Sequence, residues 1–261
     1  MPTILDKILA SKVVEVAERK QQLPVSSLIN APLFSRKCLS MKQSLLNSES
    51  GIISEFKRKS PSLGWIHEDA DVVEVTAGYS DADASGISIL TDSGFFGGTP
   101  MDMIASRPQI TCPLLRKDFV IDEYQLYEAK AIGADVILLI AAALTVEKTL
   151  ELARKSHELG LEVLLEVHNA GELGHANDYV DMLGVNNRNL KTFEQSIQVS
   201  FDLAALIPDR FVKVSESGIS KVETVKELRK AGYRGFLMGE NFMKEDNPAE
   251  ALKLFVELLK H

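Results

Sequence analysis

The chain has 261 residues, 45% of them hydrophobic and 25% charged, which is the composition of a globular protein. A net charge of −8 disfavours sequence-independent nucleic-acid binding, and the longest strongly apolar run, Val136 to Leu144, falls well short of the ~20 residues that cross a bilayer. Cys38 and Cys112 are too few for a disulfide framework and have no nearby histidines, so neither that scaffold nor a zinc site is expected.

The segment "ILDKILASKVVEVAERK" reads as an amphipathic helix, and a second helix is expected near "MKQSLLN". Asp6 and Lys7 break any apolar core at the N-terminus, so it lacks the layout of a secretory signal and a cytoplasmic protein is expected. Residues 1–50 are read as a helical extension packed on the rest of the chain; a sharper reading has part of it bordering an active-site mouth.

From Gly51 onward, apolar runs short enough for strands alternate with helical patterns. The runs are "GIISEF" (51–56), "GISIL" (86–90), "CPLLR" (112–116), "DVILLI" (135–140), "EVLLEV" (162–167), "DMLGVN" (181–186), "FVKVS" (211–215) and "GFLMG" (235–239). They are continuous rather than alternating, as parallel strands covered on both faces should be. Between them, "LTVEKTLELARKSHELG" has Thr145 placed as an N-cap and stops at Gly160. "DEYQLYEAKAIG" and "KVETVKELRKAG" likewise stop at glycines just before strands.

Eight such units in a chain of this length predict a TIM-type (β/α)8 barrel over 51–261, a single domain with its N-terminal helical extension. No "GxGxxG" follows the first strand, so the dinucleotide-binding alternative lacks its main signal.

A barrel gathers the carboxyl ends of its strands at one mouth, and those ends carry chemistry here. Strand one runs into Glu55 and Lys57, strand three into Lys117, strand five into Glu166, and strand six into Asn186 and Arg188. Residues two apart share a strand face, so Glu55 and Lys57 can both point inward. Two lysines and two glutamates in one cavity suit acid–base catalysis; the plainer reading is an ion-pair network plugging the barrel. The loops after strands seven and eight, "SESGIS" and "GENFM", stand where this fold often binds phosphate, through Ser217, Gly218, Gly239 and Glu240. In "EFKRKSPS", Lys57 and Lys59 supply charge, Ser60 a hydroxyl, and Pro61 stiffens the loop, completing one wall of an anionic-substrate site.

"EFKRKSPS", "ILTDSGFFGG", "LLRKDFVIDEYQLYEAKAIGADVILLI", "LLEVHNAGEL", "GVNNRNLKTF", "VSESGI" and "FLMGENFM" together closely resemble the indole-3-glycerol-phosphate synthase family over roughly residues 50 to 245. The resemblance implies a cofactor-free lyase of tryptophan biosynthesis that closes a ring in 1-(2-carboxyphenylamino)-1-deoxyribulose 5-phosphate, with loss of carbon dioxide and then water. It implies Lys117 as general acid and Glu166 as the residue that stabilises the cationic intermediate. Glu55 and Lys57 would serve binding and dehydration, and Asn186 and Ser217 would contact the anthranilate part or a hydroxyl. Phe119 and Leu138 would pack on the aromatic ring, with Arg188 also binding substrate. Ser60, Gly218, Gly239 and Glu240 would hold the phosphate.

A small phosphorylated substrate is therefore the expected partner, with no metal, nucleic acid or membrane, and with a monomer or at most a weak homodimer as the working form. No fused isomerase domain is expected. Lys117 is expected to have its pKa lowered by neighbouring cations. No catalytic role is assigned to His157 or His168. Two competing readings are a Schiff-base aldolase using Lys117 as nucleophile, and a binding barrel without catalysis.

Overall fold

The computed structural model describes residues 2–190 and 192–260. Eight parallel strands close into a barrel: β1 (Ile52–Phe56), β2 (Gly86–Leu90), β3 (Leu114–Lys117), β4 (Val136–Ile140), β5 (Glu162–Val167), β6 (Met182–Asn186), β7 (Val212–Glu216) and β8 (Gly235–Met238). Each strand bonds to its neighbours in sequence, and β1 completes the ring by pairing with both β8 and β2. The expected TIM barrel is thus the observed fold, with strand ends moved by a residue or two. One shift has chemical consequence: β7 extends through Glu216 rather than stopping at Ser215, so Glu216 belongs to the sheet.

The strands are buried on both faces for the reason their sequences suggested. Ile53, Leu115, Leu138, Leu164 and Val214 fill the interior, while Ile52, Ile87, Ile137 and Val163 point outward under the helices. The helix signals hold locally as well. Thr145 caps Val146–Glu158 by accepting from the Lys148 N–H, and Gly133, Gly160 and Gly232 all lie at positive φ between helix and strand.

The first fifty residues carry α1 (Ile4–Gln22), α2 (Val25–Ile29) and α3 (Met41–Asn47). They reach both ends of the barrel. α3 closes the bottom, where Met41 and Leu45 join the interior cluster. They lie so close to Gly86 and Gly235 that a Cβ there would meet them at 2.2 and 3.0 Å. At the other end, Ile4, Leu5 and Ile8 of α1 line the mouth.

The buried stripe of α1 is Ile8, Lys12 and Val16, whereas Val13 and Val14 are exposed. A lysine occupies the middle of that stripe because it has partners there. Its ammonium contacts Asp92 at 3.0 Å, Asp118 at 2.9 Å and Glu15 at 2.8 Å. Burial alone would lower the pKa of Lys12; Asp118 and Asp92 outweigh it and the net shift is upward.

Candidate active site

The mouth opens into a cavity of about 340 Å3, within the range of small-molecule sites. Its lining includes Glu55, Lys57, Lys117, Glu166, Asn186 and Ser217, the six residues to which the sequence assigned chemistry. Ser60, Phe119, Leu138, Arg188, Gly218, Gly239 and Glu240 line it too. The structure therefore brings these thirteen residues to one cavity, whereas Lys59, expected to add charge to that wall, is outside the lining and donates from its ammonium to the Gly94 carbonyl.

At its centre is Lys117, at the end of β3. Its Nζ lies 2.9 Å from Glu55 Oε2 and 3.2 Å from Glu216 Oε2, while Glu55 Oε1 contacts Lys57 Nζ at 2.7 Å. Burial pulls the Lys117 pKa down, but Glu55, Glu216 and Glu166 outweigh it and raise it above the ordinary lysine value. This corrects the expectation of a pKa lowered by nearby cations. The neighbours of Lys117 are mostly carboxylates, and they hold it as an ammonium.

The same balance separates the carboxylates. Burial pushes Glu55 up, but Lys117 and Lys57 together bring it down to about 2. Glu216 has only Lys117 to offset its burial, faces Glu166 and Glu55, and leaves its Oε1 without a hydrogen-bond partner; its pKa rises to about 7. Of the carboxyls sharing Lys117, Glu216 is the one that retains a proton most readily. Two glycines make room for this arrangement. A Cβ on Gly184 would lie 2.2 Å from Glu216 Oε1, and one on Gly239 would lie 2.6 Å from Glu55 Oε1.

Around this centre the cavity divides by character. Phe96 and Phe119, with ring centroids 6.0 Å apart, join Leu138, Ile140 and the α1 residues as an apolar wall. Opposite, Arg188 donates to Ser62 Oγ at 3.0 Å and pairs with Glu240 Oε2 at 3.2 Å, so the Glu240 carboxylate is turned towards an arginine. Ser217 and Gly218 follow β7 at φ +66 and +73, and Gly218 and Gly239 both border the cavity. The first loop also folds into a small hairpin, Lys59–Ser60 against Gly64–Trp65. Trp65 packs over Gly97, and the Lys59 ammonium lies 5.4 Å from the Trp65 ring centroid.

Glu216 was the catalytic candidate missed in the sequence. Reading the strand as ending at Ser215 put the glutamate in a loop, although Val212, Val214 and Glu216 share the inward face. Among the described residues no group of acidic, cysteine or histidine side chains is arranged to hold a metal ion. Cys38 and Cys112 are both free thiols, and Cys112 is pushed up to about 11 by burial.

The fold and this mouth define a (β/α)8 barrel whose strand ends gather paired lysines and carboxylates beside an apolar wall. The sequence profile described as "Indole-3-glycerol phosphate synthase" matches residues 5–255. An "Indole-3-glycerol phosphate synthase" of Bacteroides thetaiotaomicron is 53% identical over 263 residues, covering the whole of both chains. Another, of Polynucleobacter asymbioticus, is 40% identical over 265 residues, covering 97% of this chain and 98% of that one. The chain belongs to the indole-3-glycerol phosphate synthase family. Among solved structures, 3-hexulose-6-phosphate synthase from Salmonella typhimurium superposes with a TM-score of 0.63 at 14% identity, covering 80% of this chain and 98% of that one, a likeness of fold.

Proposed function

We propose that this barrel mouth carries out the family's lyase reaction on 1-(2-carboxyphenylamino)-1-deoxyribulose 5-phosphate through Lys117, held protonated by its carboxylate neighbours. The single observation that carries this reading is the Lys117 ammonium, in the cavity lining, bracketed by Glu55 and Glu216 at 2.9 and 3.2 Å.

A protonated amine beside a substrate carbonyl is a general acid. As the aromatic carbon attacks the carbonyl carbon, the oxygen takes the Lys117 proton, leaving a hydroxyl on the new ring. Glu166, kept ionised, faces the cationic intermediate until carbon dioxide leaves and the ring electrons return. Loss of that hydroxyl as water then needs an acid and a base, supplied by the Glu55 and Lys57 pair. Glu216, at about 7, is suited to return a proton to Lys117 between turnovers.

Phe119 and Leu138 take the aromatic part against the apolar wall. Asn186 and Ser217 meet its carboxylate or a hydroxyl, and Arg188, Ser60, Gly218, Gly239 and the Glu240 backbone take the phosphate end. A Schiff base would instead need Lys117 as a neutral amine, which its surroundings oppose. The same reading makes the protein a cytoplasmic enzyme acting as a monomer or weak homodimer without a cofactor. Among the described residues, no helix is long and apolar enough to cross a membrane.

The test is an assay of EDTA-treated protein with this substrate, following indole absorbance and fluorescence. Product without metal is the expected outcome. Folded protein that gives none, but is trapped on Lys117 by borohydride with a keto-phosphate, would overturn the proposal in favour of an aldolase.

A further inference from the structure

The proposed chemistry asks Glu166 to remain an anion in a buried site, and burial opposes that. Lys117 is already engaged by Glu55 and Glu216. Another cation is therefore needed at Glu166, and the structure places one there from outside the cavity lining.

His168 follows β5, two residues beyond Glu166. Its Nε2 lies 3.3 Å from Glu166 Oε1, a charge-to-charge contact off the hydrogen-bond line, and that nitrogen is buried with no hydrogen-bond partner. On the other side, Nδ1 is 3.2 Å from Glu172 Oε2, and the same oxygen accepts the His168 backbone N–H at 2.7 Å. Asn169 Nδ2 donates to Glu172 Oε1 at 2.8 Å, which fixes that carboxylate in turn. The imidazole is thus clamped between two carboxylates, one inside the cavity and one behind it.

This geometry selects a protonation state. A neutral imidazole could donate from Nδ1 to Glu172 but would bring no charge to Glu166; the imidazolium keeps that donation and also sets a positive charge 3.3 Å from Glu166. Burial would lower the His168 pKa, but Glu166 and Glu172 reverse that and carry it up to about 10. The benefit is mutual: burial pushes the Glu166 carboxyl up, and His168 first, then Lys117 and Asn186, bring it below its ordinary value. Glu216 is the acidic group that faces Glu166 from β7 and works in the opposite sense.

We propose that His168 is the positioning residue of Glu166: as an imidazolium braced by Glu172, it orients the carboxylate and keeps it ionised for the reaction. The proposal rests on Glu166 acting as described above. It assigns a purpose to the "EVHNAGE" stretch beyond ending a strand, with Glu172 as the brace and Asn169 holding the brace.

The experiment combines ring-nitrogen NMR of His168 with kcat/KM against pH for the parent, His168→Asn, Glu172→Gln and Glu166→Gln. In the parent, both His168 nitrogens should carry protons at pH 8, and Glu172→Gln should lower the pH at which the ring loses one. Losing a cation at this distance raises a carboxyl pKa by about one unit or more. The acid limb of the His168→Asn profile should therefore move to higher pH by about that amount, with a smaller move in the same direction for Glu172→Gln. A purely structural histidine would lower Tm and leave the limb in place.

A neutral His168 ring at pH 8 in the parent overturns the proposal. So does an unmoved limb in His168→Asn while Glu166→Gln is inactive. If Glu166→Gln turns over like the parent, it is the role of Glu166 that falls, and this inference with it. Should His168→Asn fail to fold, the ring titration in the parent and in Glu172→Gln decides alone.

Discussion

Arg116 and Lys117 are neighbours on β3 whose side chains leave the strand on opposite faces, and each enters a buried ionic cluster. The outer cluster is saturated. Arg116 donates from Nε to Thr91, from one terminal nitrogen to the Gln125 carbonyl, and from the other to Asp118 and Glu128. Asp118 in turn accepts from Lys12, Thr91 and the Phe119 N–H. The inner cluster is not saturated: Lys117 serves Glu55 and Glu216 together, and Glu216 Oε1 has no hydrogen-bond partner.

The contrast separates two uses of buried charge. Where the arginine's donors and the Asp118 oxygens are all engaged, the network pins α1 to the ends of β2 and β3, and protons have no reason to move. Where carboxylates outnumber the ammoniums that can reach them, one carboxyl stays near neutrality in pKa, as proton transfer requires.

The sharpest way to break the comparison is to remove the keystone of the outer cluster. Lys12→Met leaves Asp92 and Asp118 short of a cation, and losing one partner of a buried pair costs about 3–5 kcal/mol. Urea unfolding should show a loss of that size, and an unchanged midpoint would mean that α1 is held by its apolar contacts alone. In the inner cluster the expected loss is one of rate. Lys117→Ala and Glu166→Gln should each cut turnover at least ~100-fold, about 2.7 kcal/mol of barrier. Near-parental rates in both would dismiss the acid–base assignment.

Glu216→Gln tests the unsaturated member through stability. A carboxyl whose folded pKa is raised from about 4.5 to about 7 favours the folded state below that window, and the contribution is lost as pH climbs through it. Glutamine stays neutral throughout, so the Tm of the variant relative to the parent should rise between pH 4.5 and 7 and then level off. A flat difference in calorimetry would show that Glu216 does not hold the proton. The smallest effect belongs to the rim: Lys59→Ala removes the contact over Trp65 and should cost about 0.5–1 kcal/mol in the same measurement.

The barrel was legible because parallel strands buried on both faces are continuous apolar runs, and such runs stop where charge begins, at Glu55, Lys117 and Glu166. The same stops exposed most of the mouth. What escaped depended on side-chain meetings that only the folded backbone sets. Lys12 sits in the apolar stripe of α1, where spacing alone would favour a hydrophobe such as Val13, and only Asp92 and Asp118 make a lysine stable there. His168 looked like any lone histidine until the fold set Glu166 and Glu172 on either side of it. The hairpin holding Trp65 has arms of two residues, too short to leave a periodic pattern.

The closure of the sheet through β1 and β8 has a consequence for the birth of the molecule. The first strand to be synthesised needs the last as its neighbour, so the ring cannot shut while Gly235–Met238 is still inside the ribosome. Until then the nascent chain presents two unpaired strand edges, at β1 and at β7, each a template for another chain. A message cut short before that strand would therefore yield an open sheet prone to aggregate rather than a smaller barrel.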